Sequence, residues 1–86
     1  MGDVPAARKY YERALATTEK ALGSDHPTTA IRLNNLAWLT HDEGDYAEAA
    51  RLMRQALAIR VKRLGPDHPD TVSSRNNLAA IEEKLP

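Results

Sequence analysis

Two Asp-His-Pro tripeptides, at residues 25–27 and 67–69, are the sequence features that come nearest to a chemical site. Histidine and carboxylate side chains are common metal ligands. Each tripeptide supplies only one histidine, however, and its proline marks a joint between helices. Capping and joint geometry therefore explain these residues better than metal binding does, and we predict no metal site and no cofactor.

A catalytic set of side chains is not visible in the sequence. The chain has no cysteine, and Ser73 and Ser74 have no histidine or acidic residue at a recognisable spacing. The sequence also has no glycine-rich loop of the kind that binds phosphate. We therefore predict that the protein is not an enzyme.

The two tripeptides belong to a longer segment that occurs twice, 42 residues apart. The motif Leu-Gly-x-Asp-His-Pro begins at residues 22 and 64, and Asn-Asn-Leu-Ala begins at residues 34 and 76. At this offset 17 of 44 aligned pairs are identical, far more than chance would give. Because a fixed period of this length indicates a repeat architecture, residues 1–86 are predicted to form one domain of two periods.

Composition restricts the class of protein. The 86 residues are 42% hydrophobic and carry no net charge, so a small folded domain is expected and a nucleic-acid partner is disfavoured. No apolar run is long enough to span a membrane, and the first residues do not resemble a signal peptide. The absence of cysteine fits a reducing compartment, so we predict a cytoplasmic location.

The elements that position these residues are predicted to be helices only. Apolar residues recur at helical spacing, and Gly23, Gly44 and Gly65 mark helix ends. Asp3 and Asp45 suit N-caps, and a reciprocal capping box is predicted between Asp45 and Glu48. The predicted fold is all-α, with four helices at about 4–22, 27–43, 46–64 and 70–85.

These motifs resemble those of the tetratricopeptide repeat family. The resemblance rests on a small set of residues at family positions and covers essentially the whole chain. They are Leu36, Ala37, Gly44, Asp45, Tyr46, Ala49, Met53, Ala56 and Leu57. The 42-residue period is most similar to the long variant of kinesin light chain. Leu33 and Thr40 depart from the family pattern, since aromatic residues are frequent at both positions.

The resemblance implies a right-handed α-solenoid whose concave groove, lined by the first helix of each hairpin, binds a peptide segment of a protein partner. Asparagines in such grooves often bond the ligand's backbone, and an amide offers both donor and acceptor. The residues transferred to this groove are Ile31, Asn34, Asn35, Trp38, His41 and Asp42 in one repeat and Ser73, Asn76, Asn77, Ala80, Glu83 and Lys84 in the next.

Simpler explanations exist for several of these residues. One asparagine of each pair either contacts a ligand or holds neighbouring helices in register, and ligand contact is favoured for Asn34 and Asn76 over Asn35 and Asn77. Trp38 is either an exposed anchor or packed between hairpins. His41 is expected to be solvated. The basic residues of the third helix form either a solvated outer face or a stripe for an acidic partner. They are Arg51, Arg54, Arg60, Lys62 and Arg63.

Each 42-residue period begins with the second helix of one hairpin and ends with the first helix of the next, so the first and fourth helices would lack their hairpin partners. The first helix is therefore expected to expose Ala7, Tyr11 and Ala14, and the fourth helix to expose its apolar residues Leu78, Ala79 and Ile81. Because repeats stabilise one another through neighbours, we predict that the fourth helix of one copy covers the first helix of another. This would give a homo-oligomer, either a reciprocal dimer or a head-to-tail stack.

Three functions are consistent with this pattern. The leading one is a scaffold that binds a peptide of a partner protein in the groove. The second is a structural module that self-associates and leaves the groove unused. The third is RNA binding, which other helical-hairpin repeats perform but which zero net charge and a single tryptophan disfavour.

Overall fold

The computed structural model describes residues 4–86, with side chains from Ala6 onward, and the predicted Asp3 N-cap lies outside this range. Four α-helices follow one another: α1 (Val4–Leu22), α2 (Pro27–Asp42), α3 (Tyr46–Leu64) and α4 (Pro69–Glu82). Residues 4–86 contain no strand, so the all-α prediction is confirmed. In this same range no helix is both long and apolar enough to cross a membrane.

The fourth helix is shorter than predicted. It begins at Pro69 and ends at Glu82, whereas the sequence pattern suggested about 70–85. Beyond Glu82 the backbone tightens, because the N–H groups of Lys84 and Leu85 bond the carbonyls three residues earlier, at 3.0 Å each. The second helix likewise ends at Asp42, one residue before the predicted end.

Each Asp-His-Pro tripeptide starts a helix through its histidine. His26 Nδ1 accepts the backbone N–H of Thr28 at 3.0 Å, and His68 Nδ1 accepts that of Asp70 at the same distance. In both joints proline occupies the first helical position, where its missing N–H costs nothing. The histidines are therefore N-caps, which fits the interpretation of these tripeptides as joints between helices.

A buried threonine anchors each joint from the other side. The Thr29 hydroxyl donates to the Gly23 carbonyl over 2.7 Å, and the equivalent Thr71 hydroxyl donates to the Arg60 carbonyl over 3.1 Å. Both threonines are fully buried. The Gly23 carbonyl lies just beyond the end of α1, whereas the Arg60 carbonyl also accepts the Gly65 N–H at 3.1 Å, so the Thr71 hydroxyl is an additional donor there.

The turn between α2 and α3 forms only half of the predicted capping box. Asp45 Oδ1 accepts the Glu48 N–H at 3.2 Å, as expected for an N-cap. The reciprocal bond was predicted wrongly, because the Asp45 N–H bonds the Thr40 carbonyl at 3.1 Å. The Glu48 carboxylate instead takes a bidentate bond from Arg51, at 2.7 Å for both contacts.

The core lies mainly between α2 and α3, and each helix packs on its chain neighbours. Alanine occupies many of the buried positions, which allows the helices to approach closely, while Met53 and the leucines fill the space around them. The buried apolar side chains are Ala30, Leu33, Leu36, Ala37, Ala49, Ala50, Leu52, Met53, Ala56, Ile59 and Ile81.

The exposed face of α4 differs from the predicted one. Ile81 is fully buried and Leu78 packs against the core, because this side of α4 lies on α3. The expectation that both residues lack a cover was therefore wrong. Ala79 is exposed as predicted, together with Val72 on the neighbouring turns. On α1, Tyr11 is exposed, while Ala7 and Ala14 are half-buried.

Candidate functional site

The predicted groove residues lie on successive turns of α2 and α4, and one hydrogen bond joins the two helices. Asn77 Nδ2 on α4 donates to Asn34 Oδ1 on α2 over 3.4 Å, and both side chains are half-buried. The two residues are 43 positions apart, one more than the period. The bond therefore joins the first asparagine of one pair to the second asparagine of the other.

The remaining two asparagines face solvent. Asn35 and Asn76 are exposed, each beside its bonded neighbour in sequence. The sequence favoured Asn34 and Asn76 over Asn35 and Asn77 as ligand contacts. In the structure Asn34 and Asn77 bond each other, and the donor and acceptor groups of Asn35 and Asn76 are presented at the surface.

An aromatic cluster follows the asparagines toward the end of α2. The rings of Trp38 and His41 meet edge to face with centroids 5.1 Å apart, and His41 meets Tyr46 of α3 at the same distance. His41 Nδ1 also lies 3.3 Å from Asp42 Oδ1. The prediction that His41 is merely solvated was wrong, because Trp38 and Tyr46 contact its ring from two helices.

Trp38 combines features of both explanations that the sequence allowed. Its ring packs against the core, yet the side chain is only half-buried. Tyr46 was not among the predicted groove residues. The signal for it was indirect, since it follows the Gly-Asp turn between the two helices of the hairpin, and only the return of the chain brings it to His41.

The other predicted groove residues line the exposed edge of the same two helices. Ile31 is 45% exposed one turn before Asn35. On α4, Ser73 and Ala80 are exposed one turn to either side of Asn76. Asp42, Glu83 and Lys84 are also exposed, at the ends of the helices. The candidate face is defined here as the surface of α2 and α4 that carries these residues.

The basic residues of α3 are engaged within the chain. Lys62 Nζ bonds Asp25 Oδ2 at 2.8 Å, and Arg63 Nη1 bonds the Asp25 carbonyl at 3.0 Å, so the end of α3 is tied to the first joint. The Lys62 bond lowers the pKa of Asp25. Arg54 pairs with Glu82 of α4 at 3.2 Å. These contacts disfavour a continuous stripe for an acidic partner.

A second ion-pair cluster ties α1 to the end of α2. The Arg8 guanidinium bonds the Glu43 carboxylate and also reaches Glu12 Oε2 at 3.2 Å and Thr40 Oγ1 at 3.4 Å. The Glu43 carboxylate raises the pKa of Arg8. One period later the positions of Arg8 and Glu43 hold Ala50 and Leu85 in apolar surroundings, so the two equivalent interfaces use different chemistry.

A further surface lies on the outer side of α1. Tyr10 is 69% exposed, whereas Leu52, at the equivalent position of α3, is 3% exposed. Tyr10 also lines an open groove of about 450 Å3, and the other lining residues include Ala14 and Thr17. This groove was not predicted as a feature, although the exposure of Tyr11 beside it was.

Comparison with known families identifies a repeat family. A family model described as tetratricopeptide repeat matches residues 1–62 and again residues 40–85. Repeats of this family are non-catalytic scaffolds that generally mediate protein–protein interaction. No curated protein shows significant similarity to the chain. The resemblance to kinesin light chain stays a prediction from the 42-residue period. The two matches together span nearly the whole sequence, and the chain therefore belongs to the tetratricopeptide repeat family.

Proposed function

We propose that the protein binds a peptide segment of a partner protein on the candidate face of α2 and α4. The observation that carries this proposal is the Asn34–Asn77 bond, which links the two helices so that they present one surface. Family membership supports a protein partner, since tetratricopeptide repeats generally mediate protein–protein interaction. The mechanism is surface complementarity, in which no covalent bond is made or broken.

The exposed amides would supply the polar contacts. Asn35 and Asn76 present donors and acceptors on either side of the bonded pair. A primary amide can bond both the N–H and the C=O of a peptide backbone, so two of them can hold an extended segment without selecting its side chains. Because Asn34 and Asn77 already bond each other, we assign backbone contact chiefly to Asn35 and Asn76.

Trp38 and Ile31 would supply the apolar contacts. Half-buried tryptophan is a common anchor in interfaces, because its ring offers a large area at little entropic cost. Here the contact with His41 fixes the ring, and Ile31 is exposed two turns away on the same side of α2. We expect an apolar side chain of the ligand to lie between them.

The test is selection from a phage-displayed peptide library on the immobilised chain, followed by fluorescence polarisation with one selected peptide. We expect Asn76→Ala and Trp38→Ala each to weaken binding by about tenfold. Gln55→Ala is the matched control, because Gln55 is an exposed amide on α3, outside the candidate face. Binding that is insensitive to both face substitutions would rule out this function.

Self-association is a second candidate, favoured by the contrast between Tyr10 and Leu52. The equivalent α3 surface is covered by α2, and on α1 it is open. Sedimentation equilibrium from micromolar to millimolar concentration tests this candidate, and a monomer throughout would exclude it. We also propose a cytoplasmic location, which the absence of cysteine in the sequence supports.

A further inference from the structure

We infer that copies of this chain associate head to tail, with the outer face of α4 in one copy docked in the outer groove of α1 in the next. This inference rests on the proposed self-association and specifies its geometry. The exposed residues Tyr10, Val72 and Ala79 each have a buried equivalent one period away. The α2–α3 interface inside the chain is the template for the contact between copies.

The groove on α1 is the equivalent of the surface that α2 covers on α3. Besides Arg13, Thr18 and, from α2, Arg32, it is lined by Tyr10, Ala14 and Thr17. Their equivalents one period later are Leu52, Ala56 and Ile59, all of which are buried in the core. Tyr10, Ala14 and Thr17 therefore occupy the positions that a helix of the α2 type covers within the chain.

The outer face of α4 is the equivalent of the surface that α2 presents to α3. Val72 and Ala79 are exposed on α4, and their equivalents on α2 are Ala30 and Ala37, each fully buried. Since α4 aligns with α2 over its whole length, it is a helix of the type that the α1 groove accepts. The contact between copies would thus continue an interface that the chain already contains.

At two positions of this contact, a pair of leucines in the internal interface is replaced by an arginine and a tyrosine. Leu33 of α2 and Leu52 of α3 both belong to the internal core, and their equivalents across the junction are Arg75 of one copy and Tyr10 of the next. The Arg75 guanidinium donates through Nη2 to the Pro66 carbonyl over 3.2 Å, which leaves its face available to stack on tyrosine in a cation–π contact. Either residue opposite leucine would be poorly matched. Because both residues of the pair are polar, Arg75 and Tyr10 can stay exposed in the folded single chain and come together only when copies associate.

The same arrangement has a consequence for the asparagine row. Within one copy, Asn34 bonds Asn77, which lies 43 positions later. If the period continues into the next copy, the position 43 after Asn76 is Asn35 of that copy. In a row of copies, the two asparagines that are exposed in the single chain would therefore bond each other across the junction, and they would contact a peptide only in the unassociated chain.

The arrangement of the helices favours an open row over a reciprocal dimer. Close packing follows chain order, from α1 to α2 to α3 to α4. The bare faces of α1 and α4 therefore lie at opposite ends, and two rigid copies cannot join both ends at once. A heterologous contact of this kind extends into a row of copies.

The test uses one substitution at each end of the chain. Tyr10→Arg adds a third arginine to the α1 groove, beside Arg13 and Arg32. Ala79→Arg places a long side chain on α4 where the equivalent residue of α2, Ala37, is buried. We expect each variant to be monomeric alone, with association weakened by about tenfold or more. Their equimolar mixture should form a dimer that grows no further, because one free α4 meets one free α1.

The other outcomes overturn the inference in distinguishable ways. If the wild-type chain stays monomeric, self-association is excluded, and the exposed faces of α1 and α4 are instead assigned to helices of a different sequence. Dimerisation of Ala79→Arg alone indicates contact between two α1 faces, and dimerisation of Tyr10→Arg alone indicates contact between two α4 faces. If circular dichroism shows that Tyr10→Arg has lost helicity, Thr17→Arg replaces it, since Thr17 lines the same groove and is exposed.

The asparagine contact is tested within the same heterodimer. Its junction uses α4 of the Tyr10→Arg copy and α2 of the Ala79→Arg copy. Adding Asn76→Ala to the Tyr10→Arg copy should weaken the dimer by about threefold to tenfold. The same substitution in the Ala79→Arg copy is the control and should have no effect. Equal effects in both copies would show that Asn76 does not lie at the junction.

Discussion

Arg60 Nη1 on α3 donates a hydrogen bond to Ser74 Oγ on α4 over 2.8 Å, and one period earlier the arginine is on the other helix. There Arg32 Nε on α2 donates to Thr18 Oγ1 on α1 over 3.3 Å. The position of Thr18 corresponds to Arg60, and that of Arg32 corresponds to Ser74. The contact is thus kept in both interfaces while its donor and acceptor exchange sides.

This exchange predicts how the Arg60–Ser74 pair responds to mutation. Arg60→Ala should lower the free energy of unfolding by about 1–3 kcal/mol, because it leaves the buried Ser74 hydroxyl without this donor. The double variant Arg60→Thr with Ser74→Arg copies the earlier interface and should recover more than half of that loss. Urea denaturation followed by circular dichroism measures both values. Strictly additive losses in the double variant would contradict the equivalence.

The histidine caps make a second prediction. His26→Ala removes the acceptor of the Thr28 N–H and should lower the free energy of unfolding by about 1 kcal/mol. His26→Asn should lose less, since asparagine is a good N-cap. Ser24→Ala is the control, because Ser24 is an exposed neighbour in the same joint. If His26→Ala and Ser24→Ala have equal stability in urea, the cap does not contribute.

Equivalent positions on α1 and α3 allow a matched comparison. Met53 is fully buried, and Tyr11 at the same position of α1 is 37% exposed. Met53→Ala should cost about 2–5 kcal/mol, whereas Tyr11→Ala should cost about 1 kcal/mol or less. Both are measured by urea denaturation at low protein concentration. A large loss for Tyr11→Ala under those conditions would mean that α1 is covered within the single chain.

The two kinds of asparagine should also differ in their effect on stability. Asn34→Ala breaks the bond to Asn77 and should lower the free energy of unfolding by about 0.5–1.5 kcal/mol. Asn35→Ala removes an exposed amide beside it and should leave the stability of the monomer unchanged. Thermal unfolding of both variants at low concentration tests the difference. The reverse order would show that Asn35 makes the interhelix bond.

The ion pair of Asp25 predicts how the stability of the folded chain depends on pH. Because the Lys62 bond lowers the pKa of Asp25 below its ordinary value of 3.8, the ionised carboxylate stabilises the folded state. This contribution is complete above the ordinary value and is lost as the pH falls through the lower, folded value. The stability difference between the wild type and Asp25→Asn should therefore be present at neutral pH and vanish in acid. A difference that persists in strong acid, or is unaffected by high salt, would contradict the assignment.

Local chemistry made the helices and their ends predictable from the sequence. Glycines, prolines and the Asp-His-Pro tripeptides act within a few residues, so the joints and the first three helices were placed to within a residue of their observed bounds. The period likewise identified the repeat family before any packing was known. The end of α4 was less predictable, because the tightened turn after Glu82 depends on backbone bonds that no single residue specifies.

Contacts between helices were decided by the tertiary structure. Helical spacing places Asn34 and Asn35 near one face, but only the stagger of α2 against α4 selects Asn34 as the partner of Asn77. The same limit applied to Ile81, which the sequence marked as apolar without showing that α3 covers it. A repeat in sequence fixes which positions are equivalent, whereas burial depends on which neighbouring helix is present, and that is a property of the packed chain.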